Sequence, residues 1–191
     1  MDIARTPATP DGNTHMADAP PAQPHDPAVI RREDYVPYPW RVPEVALDFR
    51  LGASKTRVRS TLAVEPNPQG NPSNELRLNG DGLTPIEVTV DGEAINSWEM
   101  VGDDLVVPLA GERHEVSIVT ELDPAANSQL MGLYASSGML CTQCEAEGFR
   151  RITFFPDRPD VLSTYKVRME GSKEEFPVLL SNGNCTARDW T

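Results

Sequence analysis

An alternation of apolar and polar residues with period two, recurring from Pro43 onward, is the feature that most narrows what this chain can fold into. Val45, Leu47, Phe49 and Leu51 alternate with Ala46, Asp48 and Arg50, and Val58, Ser60, Leu62 and Val64 repeat the pattern. Successive side chains of a strand point to opposite faces, so both segments read as half-buried strands. Further runs follow at Glu75 to Asn79, Ile86 to Val90, Ala94 to Met100, Asp104 to Leu109 and Glu115 to Leu122. Asn79-Gly80, Asp81-Gly82, Asp91-Gly92 and Gly102-Asp103 separate them with turn chemistry. Ile152 to Phe155, Tyr165 to Met169 and Phe176 to Leu180 continue the series, and Ser181-Asn182-Gly183 closes it. Only Pro159 to Ser163 carries a brief helical signal. About ten short strands without a long helix predict an all-β fold of antiparallel sheets, a β-sandwich or two packed sheets.

The chain has 191 residues, enough for one domain with a real core. Residues 1–28 hold six of its 18 prolines and no apolar periodicity, and they are expected to form a disordered leader. Met16 is then an alternative start. Residues 29–43 mix Tyr35, Tyr38 and Trp40 with prolines, as in an extended segment laid across a sheet without regular structure. The net charge of −12 repels phosphate backbones and anionic lipid, so neither nucleic acid nor an acidic membrane is an expected partner. The apolar runs are far shorter than a membrane span and no secretory signal opens the chain, which makes the cytoplasm the expected compartment. Cys141, Cys144 and Cys185 are an odd number and fit reduced thiols.

Chemical motifs are sparse. Cys141-Thr142-Gln143-Cys144 has redox spacing but lacks the βαβ setting that lowers a thiol pKa, and there is no second CxxC or His pair to complete a zinc tetrahedron. Structural thiols are the simpler reading. His114-Glu115 begins like HExxH, yet residue 118 is Ile and the segment is a strand. His15 and His25 fall in the leader. No GxSxG elbow and no phosphate loop is present, so catalysis by this chain alone has no support, and no metal site is expected. The remaining polar concentration is Gln143, Glu145 and Glu147 beside Arg150 and Arg151, next to the core-facing Phe149, Ile152, Phe154 and Phe155. Spacing alone describes a salt-linked loop entering a strand, with Gln143 and Glu145 on one side if extended.

The run AANSQLMGLYASSGMLCTQCEAEGFRRITFFPDRPDVLSTYKVRMEG, followed by FPVLLSNGN, resembles the N-terminal domain of the bacterial aminopeptidase N family, the zinc-dependent alanyl aminopeptidases of the gluzincin metallopeptidases. RREDYVPYPWRVPEVALDFRL, LRLNGDGL and IEVTVDG resemble the same domain in order, so the likeness covers residues 31–184. It implies a β-rich, saddle-like domain over residues 29–184. It also implies that Gln143 and Glu145 lie at the pocket receiving the substrate's free α-amine. Family members remove N-terminal amino acids from peptides with a zinc ion held in a following domain, which carries HExxH and GAMEN. Neither motif occurs in this chain, whose expected cofactors are therefore none.

The resemblance stops at Asn184. Residues 185–191 match no pattern, so a premature stop or frameshift and an aberrant tail are expected there, with Cys185 and Trp190 out of frame. The exposed apolar surface would then favour self-association. Two other readings stay open: a stand-alone β-sandwich module that binds peptide termini or proteins without catalysis, and a chain that reassembles with a separately encoded catalytic partner.

Overall fold

A computed structural model describes residues 31–189. The proposed leader, Met16, His15, His25 and Trp190 lie outside the described residues. The chain divides into two units, Met1–Tyr35 and Val36–Thr191. The described part of the first holds a 3-10 turn, Arg32–Asp34, with an exposed Arg31–Glu33 ion pair.

In the second unit eleven strands follow one another: β1 Trp40–Arg50, β2 Thr56–Pro66, β3 Glu75–Leu78, β4 Pro85–Val90, β5 Glu93–Ala94, β6 Glu99–Val101, β7 Asp104–Pro108, β8 His114–Leu122, β9 Gly132–Ser136, β10 Met139–Gln143 and β11 Thr164–Glu170. They form a six-stranded sheet in the order β11-β1-β2-β8-β4-β5, a three-stranded sheet β3-β7-β6 and the hairpin β9-β10. The all-β expectation holds; β1 and β2 follow the period-two pattern, whereas β8 is buried on both faces from Val116 to Thr120. Across the inner face of the large sheet the register aligns Val45 with Leu62 and Val116, and Leu47 with Ser60, Ile118 and Val88. Leu76, Leu78, Leu105 and Val107 of the small sheet are fully buried in the same core.

Several details differ from the sequence expectations. Trp40–Pro43, expected to lack regular structure, begins β1. A bulge between Arg41 and Glu44 shifts the inward set from Trp40 and Val42 to Val45, Leu47 and Phe49, so one strand buries both sets. β11 pairs with β1 in parallel, although antiparallel pairing was expected throughout. Ala94 to Met100 is not one strand: β5 pairs with β4 in the large sheet and β6 with β7 in the small one, so the segment passes from sheet to sheet. Pro159 to Ser163 forms no helix. Phe176 to Leu180 forms no strand because none of the described strands pairs with it, and Val178 and Leu180 are left exposed.

Ile152 to Phe155 is also not a strand, and here polar chemistry explains the difference. Ser60 and Thr120 place buried hydroxyls on the inner face of the large sheet. Thr153 Oγ1 donates to Ser60 Oγ (2.7 Å) and Thr120 Oγ1 donates to the Ile152 carbonyl (3.1 Å). Each would otherwise be a buried polar group without a partner, which costs about 1–3 kcal/mol. The segment therefore crosses the sheet face, and only Phe155 keeps a bridge, exchanging backbone hydrogen bonds with Asn79.

The turn after β4 is tied to the start of β8. His114 Nδ1 lies 2.7 Å from Asp91 Oδ2, and Asp91 Oδ1 accepts the Glu115 amide at 2.8 Å. The hydrogen bond from Asp91 raises the His114 pKa, while the Glu115 amide and His114 lower that of Asp91. A raised histidine contributes stability that is full below its unfolded pKa of about 6.5 and is lost as pH rises through the folded value. A lowered carboxylate contributes above about 3.9 and loses it as pH falls through the folded value. The pair thus works best between those limits, and His114→Gln is expected to flatten the decline of Tm from pH 5 to 8. An unchanged Tm profile would show that the pair is thermodynamically silent.

Candidate functional site

Gln143 closes, and Glu145 follows, a hairpin of β9 and β10 to which the period-two pattern does not extend. Its strands are hard to detect because only Gly132 and Leu133 are buried, so no alternation marks them. The available signal is Ser137-Gly138, whose φ values of 51° and 78° make the left-handed turn that joins the two strands.

Beyond β10 the backbone turns sharply. The Gly148 amide donates to the Cys144 carbonyl (2.8 Å), Glu147 has φ 64°, the Glu145–Ala146 peptide is cis, and a 3-10 turn follows at Phe149–Arg151. The expected loop is present, but it enters this turn and not a strand. Glu145 therefore does not continue the strand direction of Gln143. Instead Gln143 Nε2 donates to the Glu145 carbonyl (3.0 Å), tying the two residues together by another route. Both are exposed. With Nε2 engaged, Gln143 Oε1 has no hydrogen-bond partner among the described residues. The Glu145 carboxylate likewise has no cationic partner among them, whereas Glu147 and Asp157 both pair with Arg150.

Glycine is required at 148. An added Cβ would lie 2.5 Å from the Gln143 carbonyl oxygen and 2.8 Å from Cys144 Cα, both of them backbone atoms that cannot yield cheaply. Gly148→Ala is expected to destabilise the domain by about 1–3 kcal/mol, measured by urea unfolding. A variant as stable as the parent would mean that the turn adapts freely.

The floor beneath the turn is aromatic and ionic. The Phe149 ring packs edge-on against Phe155 (5.1 Å between centroids) and Tyr165 (5.9 Å). Arg151 pairs with Asp81 at 2.5 Å, and the Arg150 backbone carbonyl accepts the Asp81 amide at 3.0 Å. Sequence reasoning singled out Arg150 and Arg151 but missed Asn79, Asp81 and Asp157, reading the first two only as turn residues. Asn79 in fact joins three segments: it bridges Phe155, its Nδ2 donates to Asp104 and its Oδ1 accepts the Asp157 amide.

Burial and the nearby Asp157 charge push the Cys144 thiol pKa upward, opposite to what a reactive thiolate needs. Cys141 is half-buried and Cys185 exposed, and all three are free. His114 is held by Asp91 at the start of β8. The described residues contain no group of three or more His, Cys, Asp or Glu able to hold a metal ion, so they do not fit a zinc centre. None of the described helices is long and apolar enough to cross a membrane.

Comparison with known proteins gives this geometry its setting. Residues 43–190 match the Peptidase M1 N-terminal domain. The aminopeptidase N of Caulobacter vibrioides is 42% identical over 163 residues, covering 84% of this chain and 18% of that protein. That of Escherichia coli is 41% identical over 157 residues, covering 82% and 18%. Among solved structures, Legionella pneumophila aminopeptidase A in complex with aspartic acid superposes with a TM-score of 0.73 at 32% identity, covering 79% of this chain and 18% of that one. An M1 zinc metallopeptidase from Deinococcus radiodurans shares the fold, with a TM-score of 0.60 at 18% identity over 71% of this chain and 33% of that one. The chain spans about a fifth of the length of the curated relatives it matches. On the family match and these relatives together, the chain belongs to the M1 peptidase family, as its N-terminal domain.

Proposed function

We propose that this domain serves a zinc aminopeptidase that releases N-terminal amino acids from peptides, and that Gln143 and Glu145 form the edge receiving the substrate's α-ammonium. The observation that carries this reading is the pairing pattern of the loop. Arg150 satisfies Glu147 and Asp157, and the Glu145 carboxylate stays exposed without a cation among the described residues. An ammonium brings three donors and no acceptor, so it suits the Glu145 carboxylate and the unused Gln143 Oε1. A charge-assisted bond of this kind contributes roughly 1.5–3 kcal/mol.

Zinc chemistry would come from residues outside this domain, and the domain's own part is to bind and orient the peptide's amino end. Cytoplasmic placement and service in peptide catabolism follow from this reading. Leu162, Tyr165, Val167, Val178 and Leu180 are exposed apolar residues that would favour self-association of the isolated domain. We also place the end of the folded part at residue 184. Residues 181–189 are all exposed and hold no regular element, although the family match runs on to residue 190.

The test is a chimera in which residues 43–190 replace the matched domain of the Caulobacter vibrioides enzyme. The chimera is expected to hydrolyse alanyl peptides, the chain alone to hydrolyse none, and Glu145→Gln to raise KM. An unchanged KM for free-amine peptides would refute the α-amine role.

A further inference from the structure

We propose that Arg150 is a positioning residue for the Gln143–Glu145 edge, holding the turn from Cys144 to Gly148 against the core; the inference rests on the α-amine reading above. One guanidinium joins the exposed turn to fixed structure. The Arg150 amide and Nε both donate to Asp157 Oδ2 (3.1 Å each), and Nη2 donates to the Asp157 carbonyl (2.9 Å). The same Nη2 lies 3.3 Å from Glu147 Oε1, two residues from Glu145. Asp157 is itself anchored, since its amide donates to Asn79 Oδ1 (3.2 Å) and Asn79 bridges the buried Phe155.

Burial grades along this chain of contacts. The side chains of Asp157 and Arg150 are 18% and 21% exposed, and that of Glu147 is 68% exposed. The link therefore runs from the protein interior to the loop surface. Arginine suits the task because its planar fork reaches a carboxylate, a carbonyl and a second carboxylate together, which a lysine ammonium does not reproduce.

Backbone and charge both depend on the link. Glu147 sits at φ 64°, a sparsely populated region for a residue with a Cβ, and such conformations persist only where surrounding contacts hold them. By pairing with both Glu147 and Asp157, Arg150 also leaves Glu145 as the carboxylate of residues 145–157 without a cation among the described residues. The orientation of the proposed ammonium acceptor thus traces to one side chain that need not touch substrate.

Amide hydrogen exchange in the full 191-residue chain tests this directly. Arg150→Gln is expected to speed exchange of the Gly148 amide by about tenfold or more while leaving the Leu62 and Val116 amides protected, because a local opening does not spread to the central strands. Arg150→Lys should fall between the parent and Arg150→Gln. Should Arg150→Gln fail to fold, Glu147→Ala cuts only the exposed end of the link and should speed Gly148 exchange in the same direction. In the chimera, Arg150→Gln should raise KM with kcat little changed. Gly148 exchange and KM both within twofold of the parent, alongside a raised KM for Glu145→Gln, would overturn the positioning role alone. A Glu145→Gln chimera with parental KM would instead remove the α-amine reading on which it rests.

Discussion

Glu145→Ala in the chimeric enzyme is expected to raise KM for a free-amine dipeptide by roughly 10- to 150-fold, with kcat little changed. The range is the 1.5–3 kcal/mol of a charge-assisted hydrogen bond converted to a ratio of binding constants. An anchor that grips the amine equally before and during reaction contributes uniform binding, which appears in KM. Glu145→Gln keeps an acceptor but loses the charge, so its effect should be smaller and in the same direction. Steady-state kinetics on one peptide, with circular dichroism to confirm folding, decides the matter. A kcat that collapses at constant KM would instead place Glu145 in the transition state and overturn the anchor role.

The largest stability loss is expected from Phe154→Ala. Phe154 is fully buried and belongs to the segment that crosses the inner sheet face between Thr153 and the Phe155–Asn79 bridge. Its ring packs directly over Gly80, where even a Cβ would approach Phe154 Cε1 to 2.4 Å. Truncation removes the ring and leaves a cavity in a place where two backbone segments meet and cannot readily close it. A loss of about 3–5 kcal/mol follows, with a Tm lowered by roughly 6–20 °C for a domain of this size. Thermal unfolding followed by circular dichroism measures it. A shift of less than about 2 °C would mean that the segment is not part of the cooperative core.

The same segment shows where one-dimensional patterning fails. Ile152, Thr153, Phe154 and Phe155 have the composition of a strand and are all buried. Two hydroxyls on the sheet face, from β2 and β8, bond Thr153 and the Ile152 carbonyl, and the segment joins no ladder there. Nothing near residue 153 announces Ser60 and Thr120, which are distant in sequence. Phe176 to Leu180 fails in the opposite way, having strand chemistry but no described neighbour to pair with. The hairpin carrying Gln143 shows no such signal, because its two buried residues, Gly132 and Leu133, are adjacent and the rest do not alternate.

For the site, residue identity was legible and arrangement was not. Gln143 and Glu145 were named from the resemblance of TQCEAEG and its surroundings, and their residue types suit an ammonium. Their common direction was expected from two-residue spacing along a strand. The structure links them instead through a side chain to backbone hydrogen bond across a turn. Asp157 could not be chosen as Arg150's partner from sequence, since Glu147 is nearer along the chain and also pairs with Arg150, while Asp160, a little further on, pairs with Arg158.

By itself the sequence determined the β class, the central strands, the turns that separate them and the family to which the chain is similar. All of these depend on neighbours along the chain: alternation sets which face is buried, and Asn-Gly or Asp-Gly sets where the backbone can reverse. Only the tertiary structure decided the parallel placement of β11, the sheet change between β5 and β6, the path of residues 152–155 and the Arg150 link beneath Glu145. Each of these depends on which distant polar group needs a partner and which sheet edge lies open. Such demands arise only once the chain has folded back on itself.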